Sequence, residues 1–576
     1  MRATDAPQTI RSPSMHHSKA ALAACFVLSA CGQPPATRSV VSHWRPDTAA
    51  LARDIPGILR VSGVPGLSMA VVEHGDVVWT GAFGTVKDPG TIFEAASLSK
   101  PVFAYLVLRL VDRGEFDLDR PLAQILEYPR AAGDQRYRRI TGRMVLSHGT
   151  GLPNWGGERL TLAFDPGTAY GYSGEGFVYL QKAVEHATGR PLEELARREV
   201  FEPLGMSQSS FVWQERFAGH AAEAKDWLWR VAPVSRYTDA NAAYTLLTTA
   251  PDYGRFVAAV LTGRGLAEAT WKAFLTPVRE SSPGLSVGLG IRVEDTPRGR
   301  LFYHSGNNGR RFTSYMTGDL STGVGLVYFT NASNGTSMVE ALAAPVFGGA
   351  HLSRHREDYD RYDDPRLVAL RTVRQAAVDS GPDAARARLR VIGENPTTRP
   401  SLDDVLELGA FLAGRHLAPL SIEILRQAVA GAPDSARPHL ALGGALEAAG
   451  ELPSAIESYQ QALALGGDVE EARRRIRWAK ERLAARTRPV ALPARALEPY
   501  VGSYQERTIT LQGDRLYYTD GAGRGSPLNP LTTTLFEMDE DPASRIRFES
   551  EGTRSVKLVT LYSDGTADES ARTAPR

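Results

Sequence analysis

The sequence predicts a multidomain chain: an α/β domain with an antiparallel sheet, flanking helices and a helical insertion, then an α-helical repeat domain, then a small all-β C-terminal domain. Three observations predict it. Leu67–Phe83 reads as two strands joined at His74-Gly75-Asp76, strand patterns return only after residue 280, and the signals between them are mainly helical. One sheet completed from both ends, with a helical insertion, satisfies that order. Leu408-Gly409, Ile422 and Ala428 recur 34 residues later as Leu442-Gly443, Ile456 and Ala462, the period of tetratricopeptide helix pairs. From Leu492 onward, short strands follow one another at fairly regular spacing, including 500–504, 508–511, 515–518, 533–536, 545–548 and 556–559.

The 576 residues are too many for one core, and a net charge of +1 gives no basic bias toward nucleic acid. At the start, Ala20–Ala30 follows Arg11 and Lys19 and ends in Leu28-Ser29-Ala30-Cys31. Eleven apolar residues are too few to span a bilayer but suit a signal core. Leu-Ser-Ala-Cys resembles the bacterial lipobox. That resemblance implies a lipoprotein signal peptide over 1–31, lipidation at Cys31, loss of Cys25, and a place in the bacterial cell envelope facing the periplasm or exterior. Met15 is an alternative start, and a plain secretory signal is the rival reading. Residues 32–45, with Pro34 and Pro35, suit a tether.

Within the α/β domain, Phe93-Glu94-Ala95-Ala96-Ser97-Leu98-Ser99-Lys100-Pro101 leads into an apolar run of helical spacing that stops at Gly114. Pro101 cannot lie deep in a helix, so the helix is expected to begin near Ser97, with Lys100 one turn on. A serine hydroxyl becomes nucleophilic when a neighbour takes its proton, and a desolvated lysine can assist. Arginine, which the chain uses heavily, could not substitute, because it does not deprotonate. The motif is short, and a capping serine beside a surface lysine is the plainer reading of it alone.

Further along, Phe164–Gln181 contains a Gly-rich loop with Tyr172-Ser173-Gly174 feeding a helix, and Leu285, Val287, Leu289, Ile291 and Val293 alternate as one strand. His304-Ser305-Gly306-Asn307 is expected at a strand end. These segments, together with Val145–Pro153, Pro203-Leu204-Gly205-Met206 and Thr248–Asp252, resemble the serine β-lactamase and penicillin-binding-protein superfamily, on the branch of class C β-lactamases, esterases and D-aminopeptidases. The resemblance covers residues 46–352. It implies Ser97 as acylated nucleophile, Lys100 and Tyr172 as its proton-transfer partners, and the N–H groups of Ser97 and Asn307 as oxyanion hole. His304, Ser305 and Gly306 would bind substrate. A free phenol and a free ammonium both titrate near pH 10 and, when close, share protons, so the pair rather than one member is assigned the proton.

Two departures bear on substrate. Gly174 stands where the family has asparagine, and His304 where it has lysine, exchanging a fixed cation for a mostly neutral ring. Both weaken the β-lactam and D-alanine readings and favour ester or other amide hydrolysis, unless Arg310 and Arg311 restore a carboxylate site. His148 is expected to fix a loop. No metal or organic cofactor is implied, and Gly284–Gly288, a Gly-x-Ser-x-Gly match, falls inside a strand, where no nucleophile elbow forms. The expected partners are a small-molecule or peptide substrate, the membrane through the lipid, and a protein or peptide at the repeats. The rival class is a catalytically weak penicillin or cell-wall-fragment sensor.

After the α/β domain, residues 353–395 are expected as a linker and helical hairpin, with the charged stretch 354–366 a linker or an exposed turn. Residues 396–488 hold the tetratricopeptide-like repeats, closed by a solvated helix at Arg473–Lys480, and 489–576 the β-domain, without a catalytic constellation.

Overall fold

A computed structural model describes residues 45–573 apart from 158, 349–353, 358, 506, 522, 524, 542, 553 and 564. The expected signal segment, Cys25, Cys31 and all but the last residue of the tether lie outside the described residues. Among those described, no helix is long and apolar enough to cross a membrane.

Asp47 opens helix α1 (Thr48–Ser62) by accepting the Ala50 N–H, and Gly63 closes it in the left-handed conformation. The expected hairpin follows as β1 (Gly66–Glu73) and β2 (Asp76–Gly84). The chain then leaves the sheet for α2 (Ser99–Asp112), α3 (Gly174–Thr188), a small hairpin of β3 (Glu223–Lys225) and β4 (Val231–Pro233), and α4 (Ala250–Thr262). It returns as β5 (Arg279–Ser282), β6 (Leu285–Val287), β7 (Arg292–Thr296), β8 (Gly299–Asn308), β9 (Phe312–Asp319) and β10 (Val324–Thr330), and ends in α5 (Val339–Phe347).

The strands form one antiparallel sheet in the order β2-β1-β10-β9-β8-β7-β6-β5, so β1 pairs with β10 and the two ends of the domain meet. Side chains alternate across each strand, and both faces are covered. Met69, Val71, Leu326 and Tyr328 pack on Leu51, Ile55, Leu59, Leu342 and Val346 from α1 and α5. On the other face Ala70, Val72, Val327 and Phe329 meet the larger core that contains α2 and α4. α2 is buried all round from Ser99 to Leu108, as expected of a helix apolar on every face.

The structure corrects several expectations. α2 begins at Ser99 after a single 3₁₀ turn, Ala96–Leu98, so Pro101 lies in the first turn, where no helical bond is lost. The alternating run 285–293 is a hairpin, β6–β7, not one strand. A Cβ on Gly288 would lie 2.3 Å from the Phe274 carbonyl oxygen, and Gly290 (φ +90°) would meet Ala104 at 2.3 Å. Its apolar residues are nonetheless buried. β9 had no counterpart in the sequence reading, whereas His304–Asn307 do lie at a strand end, in the last stretch of pairing of β8, which closes at Asn308. The charged stretch 354–366 is not simply an exposed turn: His355 is buried, stacks on Tyr303 with centroids 3.7 Å apart, and bonds Glu294 at 2.7 Å.

The helical region holds α6 (Pro365–Ser380), α7 (Pro382–Glu394), α8 (Leu402–Gly414), α9 (Ala418–Gly431), α10 (Ala436–Ala448), α11 (Leu452–Ala464) and α12 (Val469–Thr487). α8 and α10 begin 34 residues apart (402 to 436), as do α9 and α11 (418 to 452). A Cβ on Gly409 would lie 2.8 Å from Leu425 in the first pair, and one on Gly443 2.4 Å from Tyr459 in the second. α12 is solvated on one face only. Its Trp478 and Arg482 are buried, the latter paired with Glu447 and Glu537, and Arg545 of the next domain stacks on Trp478 at 4.2 Å.

Eight strands follow in simple succession: β11 (Gly502–Tyr504), β12 (Arg507–Gln512), β13 (Arg515–Thr519), β14 (Gly525–Pro530), β15 (Leu535–Met538), β16 (Ser544–Glu551), β17 (Arg554–Tyr562) and β18 (Ala567–Ala571). A bridge from Tyr504 to Arg572 and the Thr573 N–H on Ser503 O bring the end of the chain against β11, nearly closing a barrel.

The helical region rests against the α/β domain. The β3–β4 turn places Leu228 on Gly414, where an added Cβ would lie 2.7 Å from Leu228, and Trp229 edge-on to Phe411 at 5.5 Å. Arg310 adds a guanidinium over the Trp227 ring and an ion pair with Glu407 at 3.4 Å.

Candidate active site

The turn that presents Ser97 is pinned on several sides. Phe93–Glu94 pairs with Leu247–Thr248, Ala95 N–H donates to Leu246 O, and Tyr253 donates to Leu98 O at 2.8 Å. Ala96 is held at φ +53°, a left-handed conformation that costs a non-glycine residue about 1 kcal/mol. Strand β8 crosses close by: a Cβ on Gly306 would sit 2.6 Å from Ala95 O and 3.0 Å from the Ala96 Cβ. Only glycine allows that approach, which sets the Gly306–Asn307 peptide beside the Ser97 turn. Ser314, opposite Gly306 on β9, bonds Ala95 O at 2.7 Å and holds the strand there.

Lys100 is buried. Its Nζ lies 3.2 Å from Ser97 Oγ and donates to Ala243 O at 2.8 Å. The same nitrogen is 4.9 Å from the Tyr172 ring centre and 5.7 Å from that of Phe177. Tyr172 reaches this point because the next residue caps α3: Ser173 Oγ accepts the Gly176 N–H and donates to Pro153 O. The three residues expected to react, from two distant segments, therefore lie together.

His148 does fix the loop, its Nδ1 accepting the Ser173 N–H at 3.1 Å, and its ring lies 4.4 Å from that of Tyr172. His304 faces Tyr172 at 6.4 Å between rings and donates from Nδ1 to Ser305 O. Burial, followed by the charges of Arg292 and Lys100, pushes the His304 ring well below the ordinary imidazole range. Burial, Lys100, His304 and Arg292 do the same to His148. Ser305 and Gly306 continue β8 beyond Tyr303, the last residue that pairs with β7, so 304–308 has no strand partner on that side.

Neither arginine proposed for a carboxylate site is placed to serve. Arg311 is buried, pairs with Glu94 at 3.1 Å and bonds Pro233 O and Ser235. Arg310 is engaged with Trp227 and Glu407. The Glu94 carboxylate also takes the Ser235 N–H, the Tyr237 hydroxyl and the Asn308 amide, tying β8 to the base of the Ser97 turn.

Sequence reasoning missed Trp155 and Arg292. A Cβ on Gly174 would sit 2.7 Å from the Trp155 indole, which thus occupies the space an asparagine would need. Trp155 meets Tyr244 edge-on at 5.5 Å, and Tyr244 meets Tyr237 likewise, giving the site an aromatic wall. The loop below is strapped by Arg130, which pairs with Glu175 at 2.6 Å and bonds Gly157 O, while barrel residue Ala567 reaches Gly156 O at 3.4 Å. Arg292 stands 5.8 Å from the Tyr172 ring centre. The one available signal was an arginine inside an otherwise buried apolar alternation. Among the described residues, no group of three or more His, Cys, Asp or Glu is placed to hold a metal.

A family model described as Beta-lactamase matches residues 51–347, just over half of the chain. The chain belongs to the Beta-lactamase family. This family member is 32% identical to Esterase EstB of Burkholderia gladioli over 216 residues, 30% of this chain and 55% of that protein. It is 28% identical to Penicillin-binding protein 4 of Amycolatopsis lactamdurans over 197 residues, 30% of this chain and 50% of that protein. The match therefore spans about half the length of each of these two relatives. Among solved structures, a class C beta-lactamase aligns over 53% of this chain and 97% of its own, with a TM-score of 0.48 and 18% identity.

Proposed function

We propose that this Beta-lactamase family member is a serine hydrolase acting through an acyl-enzyme on ester or amide bonds. The observation that carries the reading is the buried Lys100 side chain, its Nζ 3.2 Å from Ser97 Oγ and without a carboxylate partner among the described residues, so that the Lys100–Tyr172 pair can stand one proton short. Ser97 Oγ attacks the carbonyl carbon while its proton passes to the Lys100–Tyr172 pair. The tetrahedral oxyanion is held by the N–H groups of Ser97 and Asn307, each donor contributing about 3 kcal/mol. The pair returns the proton to the leaving oxygen or nitrogen, and water, deprotonated by the same pair, releases the acid.

At the positions of His304, Arg310 and Arg311 the site offers a substrate carboxylate no free cation. His304 is neutral, and Arg310 and Arg311 are engaged elsewhere. The likeness to an esterase supports ester bonds. The test is mass spectrometry of wild type and S97A with a fluorophosphonate, a p-nitrophenyl ester and a penicillin. Expected are a fluorophosphonate adduct on Ser97 and ester turnover, both lost in S97A. A stable penicillin adduct with no ester turnover would instead indicate a sensor.

The finer proposals concern place and partners. The Leu28–Cys31 pattern supports a lipid-anchored protein of the bacterial cell envelope. The 34-residue offset and the matched glycine contacts support a tetratricopeptide-like reading of α8–α11. With Leu228 and Trp229 packed on α8, the partner best supported for the repeats is the hydrolase domain of the same chain.

A further inference from the structure

We propose that Arg292 is a positioning residue of this site, a second cation that, alongside Lys100, holds negative charge on the Tyr172 phenol while the Ser97 proton is in transit. The inference rests on the acyl-enzyme reading above and deepens it.

Arg292 opens β7, opposite Tyr303 of β8 and Val287 of β6, at the point where the pairing of β7 with β8 stops. Its guanidinium is 5.8 Å from the Tyr172 ring centre, and its Nη2 lies 3.4 Å from the Tyr170 hydroxyl. Among the described residues, some enclosed arginines have carboxylates, as Arg130 has Glu175, Arg311 has Glu94 and Arg545 has Glu481, and others have backbone carbonyls, as Arg279 has Gly167 O, Arg371 has Tyr362 O and Arg572 has Pro499 O. Among the described residues Arg292 has no carboxylate, and its neighbours are phenols. A guanidinium cannot shed its charge, and a partly desolvated cation without an anion is unfavourable. The anion this place can generate is a phenolate.

The groups facing Tyr172 come from every element around it. They are Lys100 from α2, His148 from the loop after residue 145, Arg292 from β7, His304 from β8, and Tyr170 from its own loop. Both histidines are kept neutral by burial and by these same cations. The charge around the phenol is thus set by Lys100 and Arg292, and Lys100 also bonds the nucleophile. When the phenol gives its proton onward, only Arg292 is a cation whose charge cannot change. A fixed positive charge beside a group that becomes anionic in the reaction acts as a preorganised electrostatic stabiliser.

The test measures p-nitrophenyl butyrate hydrolysis against pH for wild type, R292K, R292Q and R292A, with fluorophosphonate labelling of Ser97 and thermal unfolding run in parallel. R292Q keeps a hydrogen-bond donor for Tyr170 and removes the charge. Expected for R292Q is a kcat lower by about 30-fold with KM little changed, and an acid limb of kcat/KM moved to higher pH. R292K is expected to restore both in large part, and added guanidinium chloride to raise the rate of R292A. An acid limb unmoved in folded R292Q, or an R292K no better than R292Q, overturns the proposal. Should R292Q fail to fold, guanidinium rescue of R292A decides the matter, no rescue counting against the proposal. Wild type that does not label at Ser97 overturns the acyl-enzyme reading itself, whereas labelled wild type with an unaffected R292Q overturns only the role of Arg292.

Discussion

His304 and His148 each sit enclosed beside the same two cations, and both rings are held neutral by burial and those charges. Their folded values lie below the ordinary 6.5 or so, so the unfolded chain takes up protons first as pH falls. The stability they contribute is fully present above about pH 6.5 and is lost below it, at about 1.4 kcal/mol per pH unit for each ring. The denaturant midpoint for loss of Ser97 labelling is therefore expected to fall between pH 7 and 5.5, and to fall less steeply in H304Q. A midpoint independent of pH, or an H304Q slope equal to wild type, would contradict the assigned neutrality. At this scale the meeting of Ser97, Lys100 and Tyr172 was legible, because they occupy short motifs fixed in local spacing. Arg292 was not, because what makes it notable is the absence of a carboxylate nearby, and that is a property of space rather than of order along the chain.

Helix α3 begins at Gly174, and the Trp155 indole lies against that glycine. Restoring the asparagine usual in the family is therefore expected to harm rather than convert the protein. G174N should cost about 1–3 kcal/mol through overpacking and lower ester kcat/KM at least tenfold. W155A is expected to relieve most of that loss in the double variant, giving a coupling energy of about 1 kcal/mol or more in a double-mutant cycle. Additive losses would show that the indole does not fill the space. Strands show the same contrast in legibility. β1 and β10 are continuous apolar runs and read plainly. β9 escaped notice because Thr313, Ser314 and Thr317 look like surface residues. They are buried because each hydroxyl finds a carbonyl, those of Ala332, Ala95 and Phe302 respectively. The β6–β7 hairpin was read as one strand because the two glycines left the apolar alternation unbroken.

Taken whole, the molecule has three domains that lean on one another, and the route between them is specific. The β3–β4 turn that seats Leu228 on α8 continues into Pro233, Ser235 and Tyr237, all bonded to Glu94 or Arg311 at the base of the Ser97 turn. L228D is expected to lose about 3 kcal/mol or more from the packing of the helical region, since a carboxylate there is buried without a partner. It should also expose α8 to limited proteolysis and reduce ester turnover more than fluorophosphonate stoichiometry. An L228D protein with resistant helices and full turnover would show that the contact is incidental. The order of domains was legible from repeat spacing and strand spacing, which are local. Their mutual docking was not, since it depends on Leu228 of a loop finding Gly414, nearly two hundred positions away.

The strap around Gly156 and Gly157 carries this further. The indole at the mouth of the site stands on a loop held on one side by Arg130 and approached on the other by Ala567 of the last strand. Selectivity in such a protein is open to drift from its tail. Changes in the final turn of the barrel, nearly five hundred positions from Ser97 in the chain, would widen or narrow the doorway and so alter which acyl groups are admitted, with the residues around Ser97 left as they were.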